Sequence, residues 1–207
     1  MYQPAHFTES RPEVLHALMR AHPFATLVTL DAGGLNANHL PFEYDPEPAP
    51  FGTLRAHVAR NNPLWRELVQ GVEALVIFQG EHGYITPSWY PGKAENGKVV
   101  PTYNYMVVHA KGALQVMDDP LWLRAFLGRL TDRFEAPRAQ PWAVEDAPAD
   151  YVEAMLKAII GIEIPVASLI GKWKVSQNRS ADDRAGVVAG LEQDGQHALA
   201  DALKLRS

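Results

Sequence analysis

The sequence predicts a mainly β fold with helical additions (α+β), a closed or nearly closed barrel forming a single domain over residues 1–207. Three observations predict it. Six or seven strand-like segments follow one another through short turns. Helical patterns gather at 10–21, across 119–158 and at the C-terminus. Strands and helices do not alternate regularly, as a doubly wound sheet would require, and sequential antiparallel strands with segregated helices favour a barrel.

In chain order, Ser10 and Glu13 have capping-box spacing, Pro12 stands where a missing N–H costs little, and Val14, Leu15, Leu18 and Met19 recur at helical spacing. Pro23 ends that helix, because the residue before a proline is pushed out of the α region. FATLVTL (24–30), a turn at Asp31–Gly34 and LNANHLPFEY (35–44) read as a hairpin. DPEPAPFG (45–52) is a loop, TLRAHVA (53–59) a strand, NNPLWRELVQ (61–70) a short helix, and ALVIFQG (74–80) a strand apolar enough to be buried on both faces. YMVVHAKGALQVM (105–117) reads as one long strand in which Gly112 marks a bulge or a close backbone approach. Asp119-Pro120 opens a helix with Leu121, Leu123, Phe126, Leu127 and Leu130 inward, and a second helix lies near 148–158. Residues 159–176 form a strand, a crossing and another strand, and Ser180 with Asp183 opens a helical region broken near Gly195.

Composition excludes several functions. A net charge of −5 lacks the overall basic footprint of a nucleic-acid binder, which leaves only a local basic patch. The absence of Cys removes disulfides, thiolate metal sites and cysteine nucleophiles. The N-terminus has no secretory pattern, and the longest apolar stretch (158–171), interrupted by Glu163 and Pro165, is too short to span a membrane. The expectation is a soluble, cytoplasmic protein with no membrane partner. Glycine-rich phosphate loops, nucleophile elbows and closely spaced His pairs are missing, and the 8 His residues are scattered, so no metal site is expected.

Polar clusters stand at three strand ends. Asn38-His39 finishes one strand. His57, Arg60, Asn61 and Asn62 lie where a strand gives way to a helix, where a guanidinium and free backbone N–H groups can hold a phosphate; helix capping beside a solvated Arg is the simpler reading of these residues alone. KWKVSQNR (172–179) places Lys172, Lys174 and Ser176 on one side of a strand and Trp173, Val175 and Gln177 on the other. It could hold a phosphorylated aromatic ligand, or it is an edge strand protected by lysines. The fourth feature is YITPSWYPGKAENGKVVPTYNY (84–105), whose tyrosines and tryptophan stand among three prolines that fix the backbone. Rigid amphipathic rings suit a planar heteroaromatic ligand or a partner subunit, with Ser88, Lys93, Thr102 and Asn104 as nearby donors; the alternative is packing under a long loop.

MYxPxxF at the start, ANHLPF (37–42), HVARNNPLW (57–65), VIFQGxxxYITPSWY (76–90), VPTYNY (100–105) and KWKVSQNR (172–179) together resemble the PaiB-type family, described as FMN-binding negative transcriptional regulators. The resemblance covers nearly the whole chain in order. It implies a split β-barrel of the pyridoxamine-phosphate-oxidase kind, a homodimer, and FMN near the subunit interface. By the same resemblance His57, Arg60 and Asn61 hold the flavin phosphate and ribityl chain, and Ser88, Trp89, Tyr90 and Lys93 line that pocket. Thr102, Asn104, Lys174, Gln177, Arg179 and His39 complete the candidate cofactor-binding set. Thr86 stands where the family usually has Ser, and Tyr103 where it usually has Trp. Three functions follow: a flavin-binding module or flavin-dependent redox protein, a regulator acting through DNA or protein, and a dimeric scaffold without flavin. No helix-turn-helix pattern supports direct DNA binding.

Overall fold

Asp31 organises the first hairpin. Its Oδ1 accepts the Gly33 N–H at 2.8 Å and its Oδ2 the Asn36 amide at 3.1 Å, while Gly34 adopts φ 115°, a conformation that favours glycine. Strand β2 (Phe24–Asp31) therefore folds back on β3 (Gly34–Pro41), in register from Asp31↔Gly34 to Phe24↔Pro41. The computed structural model describes residues 1–69 and 72–205, and these form two compact units.

The central unit comprises His22–Phe78 and His109–Leu169. In it β2 also pairs antiparallel with β6 (Ala74–Ile85). A second antiparallel sheet has the order β4 (Glu43–Asp45), β5 (Thr53–Ala59), β9 (Ile159–Pro165), β8 (Gln115–Met117). The expected strand 35–44 is divided at Phe42, which is buried and meets Phe78 edge-on at 6.0 Å; there the chain passes from the first sheet to the second. Alternation sets the core. Leu54, Ala56 and Val58 face inward opposite Ile164, Ile162 and Ile160, all buried. On the opposite face Arg55 bonds Asp45 at 2.8 Å and Glu163 at 2.6 Å, and Arg129 bonds Glu43 at 2.6 Å, so these charges are neutralised locally.

Helix α2 (Leu64–Glu67) is shorter than the 61–70 expected, because Leu68 is already extended at φ −56°, ψ 131°. Gln70, at the end of that expectation, lies outside the described residues. Helix α4 (Pro120–Glu135) starts on Asp119, whose Oδ1 accepts the Leu121 N–H at 2.9 Å. Leu123, Phe126 and Leu130 are buried, but Leu121 is 79% exposed. Two residues before Leu123, it lies roughly 200° around the helix from the buried stripe. Helix α5 (Ala149–Lys157) packs Val152 and Leu156 against Leu123 and Val144 in a satellite core.

The terminal unit comprises Met1–Ala21, Gln79–Val108 and Ile170–Ser207, of which Arg206 and Ser207 lie outside the described residues. Its strand order is β1 (Thr8–Glu9), β10 (Ser168–Lys174), β7 (Thr102–Gly112), β6. The expected strand 105–117 is two strands, since β7 ends at Gly112 and β8 belongs to another sheet. Helix α1 (Pro12–Ala21) buries Leu15, Leu18 and Met19. After a single 3₁₀ turn (Pro87–Trp89) comes the short helix α3 (Lys93–Asn96). Ser180 caps α6 (Ala181–Gln193) by accepting the Asp183 N–H at 3.2 Å, and Gly195 at φ 74° separates it from α7 (His197–Lys204). No helix among the described residues is long and apolar enough to cross a membrane.

Two glycines test this packing in opposite directions. A Cβ on Gly161 of β9 would lie 2.3 Å from the Trp122 ring, whereas one on Gly128 of α4 meets nothing within 4 Å. Gly161→Ala is expected to lower stability by about 1–3 kcal/mol, and Gly128→Ala to raise it by up to about 1 kcal/mol; thermal and denaturant unfolding measure both.

Candidate functional site

Of the candidate residues, His39, His57, Arg60 and Asn61 lie in the central unit and the other nine in the terminal unit. His39, exposed on β3, meets Thr26 Oγ1 through Nδ1 at 3.1 Å. Its neighbour Asn38 accepts the Asn62 amide at 2.9 Å, and Asn62 Oδ1 accepts the Leu64 N–H at 2.9 Å. Asn61 is exposed. Arg60 is heavily engaged: both Nη atoms grip Asp118, at 2.9 and 2.6 Å, Nε donates to the Lys157 carbonyl at 2.7 Å, and Nη2 also donates to the Ile159 carbonyl at 3.1 Å. The guanidinium thus caps the C-terminal end of α5, where a cation is favoured, and Asp118 fills the fork that a phosphate would take. The bond with Asp118 holds Arg60 above its ordinary pKa, and the bond with Arg60 holds Asp118 below the usual carboxylate range.

His57, half-buried on β5, meets Phe126 edge-on at 5.9 Å, and its Nδ1 is buried without a hydrogen-bond partner. It lines a mainly apolar cavity of about 330 Å³ with Leu127, Trp142, Tyr151 and Met155 among the walls. Burial lowers its pKa, so the neutral imidazole is favoured.

In the terminal unit the 84–105 segment and the 172–179 segment come together. Thr86 Oγ1 accepts the Ser88 N–H at 3.3 Å, and Lys93 Nζ reaches Ser88 Oγ at 3.5 Å. Tyr90 is buried, with the Arg179 guanidinium 4.8 Å from its ring centre. Lys174 Nζ donates to Thr102 Oγ1 and, at 2.7 Å, to the Tyr103 carbonyl. Buried Asn104 donates to buried Ser176 Oγ at 2.9 Å, while its Oδ1 is buried and without a partner. Ser176 adopts φ 64°, unusual for a residue with a side chain, and there the strand alternation expected for 172–177 breaks. Gln177 serves the chain itself, accepting from Val175 N at 2.8 Å and donating to the Trp173 carbonyl at 2.6 Å.

Lys172, absent from the candidate set, is buried between the rings of Tyr2 and Tyr105, at 5.7 and 5.4 Å, and donates to the Tyr2 carbonyl at 3.1 Å. Its sequence signal was the K-W-K alternation that puts it beside Lys174. Asp118 carried no such signal, since only folding brings it to Arg60. Burial first, then the charges of Lys172 and Arg179, lower the Lys174 pKa. Among the described residues no carboxylate pairs with Lys172, Lys174 or Arg179. Nor is there a His or carboxylate cluster that could hold a metal ion among the described residues. Three cations that form no ion pair with a carboxylate among the described residues, beside Tyr90 and an unpaired buried amide oxygen, fit a ligand that is anionic, aromatic and rich in hydrogen-bonding groups.

Residues 1–168 match the family described as "Putative FMN-binding domain". The chain belongs to this FMN-binding family. A protein of Bacillus subtilis (strain 168) named protease synthase and sporulation protein PAI 2 is 31% identical over 94% of this chain and 90% of its own length. An uncharacterised protein of Emericella nidulans is 34% identical over 96% and 93%. Among solved structures, the FAD and heme binding protein of Mycobacterium smegmatis aligns with TM-score 0.59 over 88% of this chain and 80% of that one, at 19% identity, a likeness of fold alone. This FMN-binding family member has the α+β fold expected from its sequence, with antiparallel sheets and added helices, and a flavin is its cofactor.

The His57 shift sets a pH dependence. Its folded pKa lies below the ordinary value of about 6.5, so the unfolded chain binds more protons as pH falls through that value. Stability present above about pH 6.5 is therefore lost below it. Thermal midpoints are expected to fall between about pH 7.5 and 5.5, less steeply in His57→Gln; His16 and His109, also lowered by burial, preserve part of the slope.

Proposed function

We propose that the chain binds FMN in the terminal unit, with Lys174, Arg179 and Lys172 taking the phosphate and Trp89, Tyr90 and Tyr103 contacting the ring system. The observation that carries this reading is the partly buried Lys174, held by Thr102 and the Tyr103 carbonyl and paired with no carboxylate among the described residues. Ser88, Lys93 and Asn104 supply further polar contacts, and Gln177 holds the 173–177 turn that presents Lys174. Tyr103, stacked on His82 at 6.0 Å, offers a smaller ring than the Trp usual at this position. His39, His57, Arg60 and Asn61 form the rival phosphate site, where an incoming anion has to displace Asp118.

Bound flavin supplies the redox chemistry, and the protein's residues bind, orient and shield it. We further propose that the chain acts as a cytoplasmic homodimer whose flavin occupancy or redox state feeds regulation. The name of the Bacillus subtilis relative, which speaks of protease synthesis and sporulation, supports a regulatory output, while the net charge of −5 favours an indirect one over DNA contact. A specific mobility-shift complex at moderate salt would reverse that preference.

The visible spectrum of the purified protein and titrations with FMN and riboflavin test the binding. Lys174→Met is expected to weaken FMN by about tenfold or more and riboflavin, which lacks the phosphate, far less. Absence of any spectral or thermal response to FMN in the wild type sinks the flavin reading. Loss of FMN in Arg60→Met with no effect of Lys174→Met moves the phosphate to the rival site.

A further inference from the structure

Helix α6 meets the aromatic segment with bare backbone. A Cβ on Gly190 would lie 2.3 Å from both Cδ2 and Cε2 of Trp89, so the indole rests directly on that glycine. One turn earlier, a Cβ on Gly186 would lie 2.1 Å from the Trp89 carbonyl oxygen and 3.0 Å from Pro91 Cδ. A turn before that, Asp183 Oδ1 accepts the Gly92 N–H at 3.2 Å. Positions 183, 186 and 190 share one helix face, so three successive contacts set residues 89–92 in register with α6. Val187 and Leu191, both fully buried, anchor the helix itself.

Arg179, whose guanidinium lies over Tyr90, immediately precedes the Ser180 cap of the same helix. One element therefore places both a cation and the aromatic wall. Glycine in a helix interior costs about 1 kcal/mol relative to Ala, and at 190 the space it vacates is filled by the Trp89 ring alone among the nearest atoms. All of α6 lies beyond residues 1–168, the part matched to the family.

We propose that α6 is the positioning element of the flavin site, with Gly190 fixing the plane of Trp89 and Asp183 the backbone at Gly92; this rests on the terminal-unit reading above. A Cβ at 190 pushes the indole out of its plane, and a binding group displaced by more than about 0.5 Å loses its productive geometry.

The test compares Gly190→Ala and Asp183→Ala with wild type. FMN affinity, the visible circular dichroism of bound FMN, and Trp89 emission, taken as the difference from each protein's Trp89→Phe counterpart, are measured. Gly190→Ala is expected to raise the FMN Kd about tenfold or more, alter the flavin dichroism, and shift Trp89 emission and its quenching by acrylamide. Asp183→Ala, which adds no bulk, is expected to act in the same direction and more weakly, and it carries the test should Gly190→Ala not fold. Unchanged affinity and dichroism in folded variants overturn the proposal. Wild type that binds no FMN refutes the flavin reading instead; the Trp89 emission shift without FMN then still decides whether Gly190 sets the ring, and unchanged emission overturns that as well.

Discussion

The charge of Lys174 is the constraint around which the terminal unit is built. A partly buried ammonium loses hydration, and neighbouring cations add repulsion. A carboxylate nearby would offset both, yet Thr102 Oγ1 and the Tyr103 carbonyl, neutral acceptors, hold it instead. Lys172 is treated the same way, wedged between two tyrosine rings and a carbonyl. Neutral acceptors and ring faces tolerate a cation without cancelling its field, so the positive potential persists for an external anion.

The central unit resolves its charges differently. Arg55 lies among Asp45, Glu43 and Glu163, and Arg60 is gripped by Asp118. Both guanidinium groups are largely satisfied, and both hold secondary structure together: Arg55 across β4, β5 and β9, Arg60 between the end of β5 and the junction of α5 with β9. An arginine whose fork is closed by a carboxylate is a fastening first, whatever else it does. The contrast separates two clusters of basic residues that look equally ready for phosphate when read as letters.

Trp89 shows how backbone contact substitutes for side-chain packing. A tryptophan half-covered by a helix usually meets aliphatic side chains, whereas here it meets the Cα of Gly190, one turn from the close approach at Gly186. The ring is thereby held by a surface that cannot change rotamer. Rigid support of this kind suits residues that must present a ring to a ligand, because orientation costs are met on folding and not on binding.

Periodicity and caps determined much of this protein from sequence. Alternation in 53–59 and 159–165 specifies the paired rows of the core, Asp119-Pro120 specifies the start of α4, and Ser180 with Asp183 specifies α6, since each signal is carried by residues close along the chain. The motif blocks likewise specified the family and its FMN link, because they are local words in a constant order. Tertiary structure alone decided where the chain changes sheets at Phe42 and why the strand after Thr102 stops at Gly112, where a Cβ would lie 2.1 Å from the Pro165 carbonyl oxygen. It alone decided that Arg60 is paired with a carboxylate while Lys174 is held by neutral acceptors, and that Trp89 rests on Gly190. Each of these depends on a partner tens of residues away, as Asp118 is from Arg60 and Gly190 from Trp89, and a local pattern holds no record of which distant group fills the space beside it.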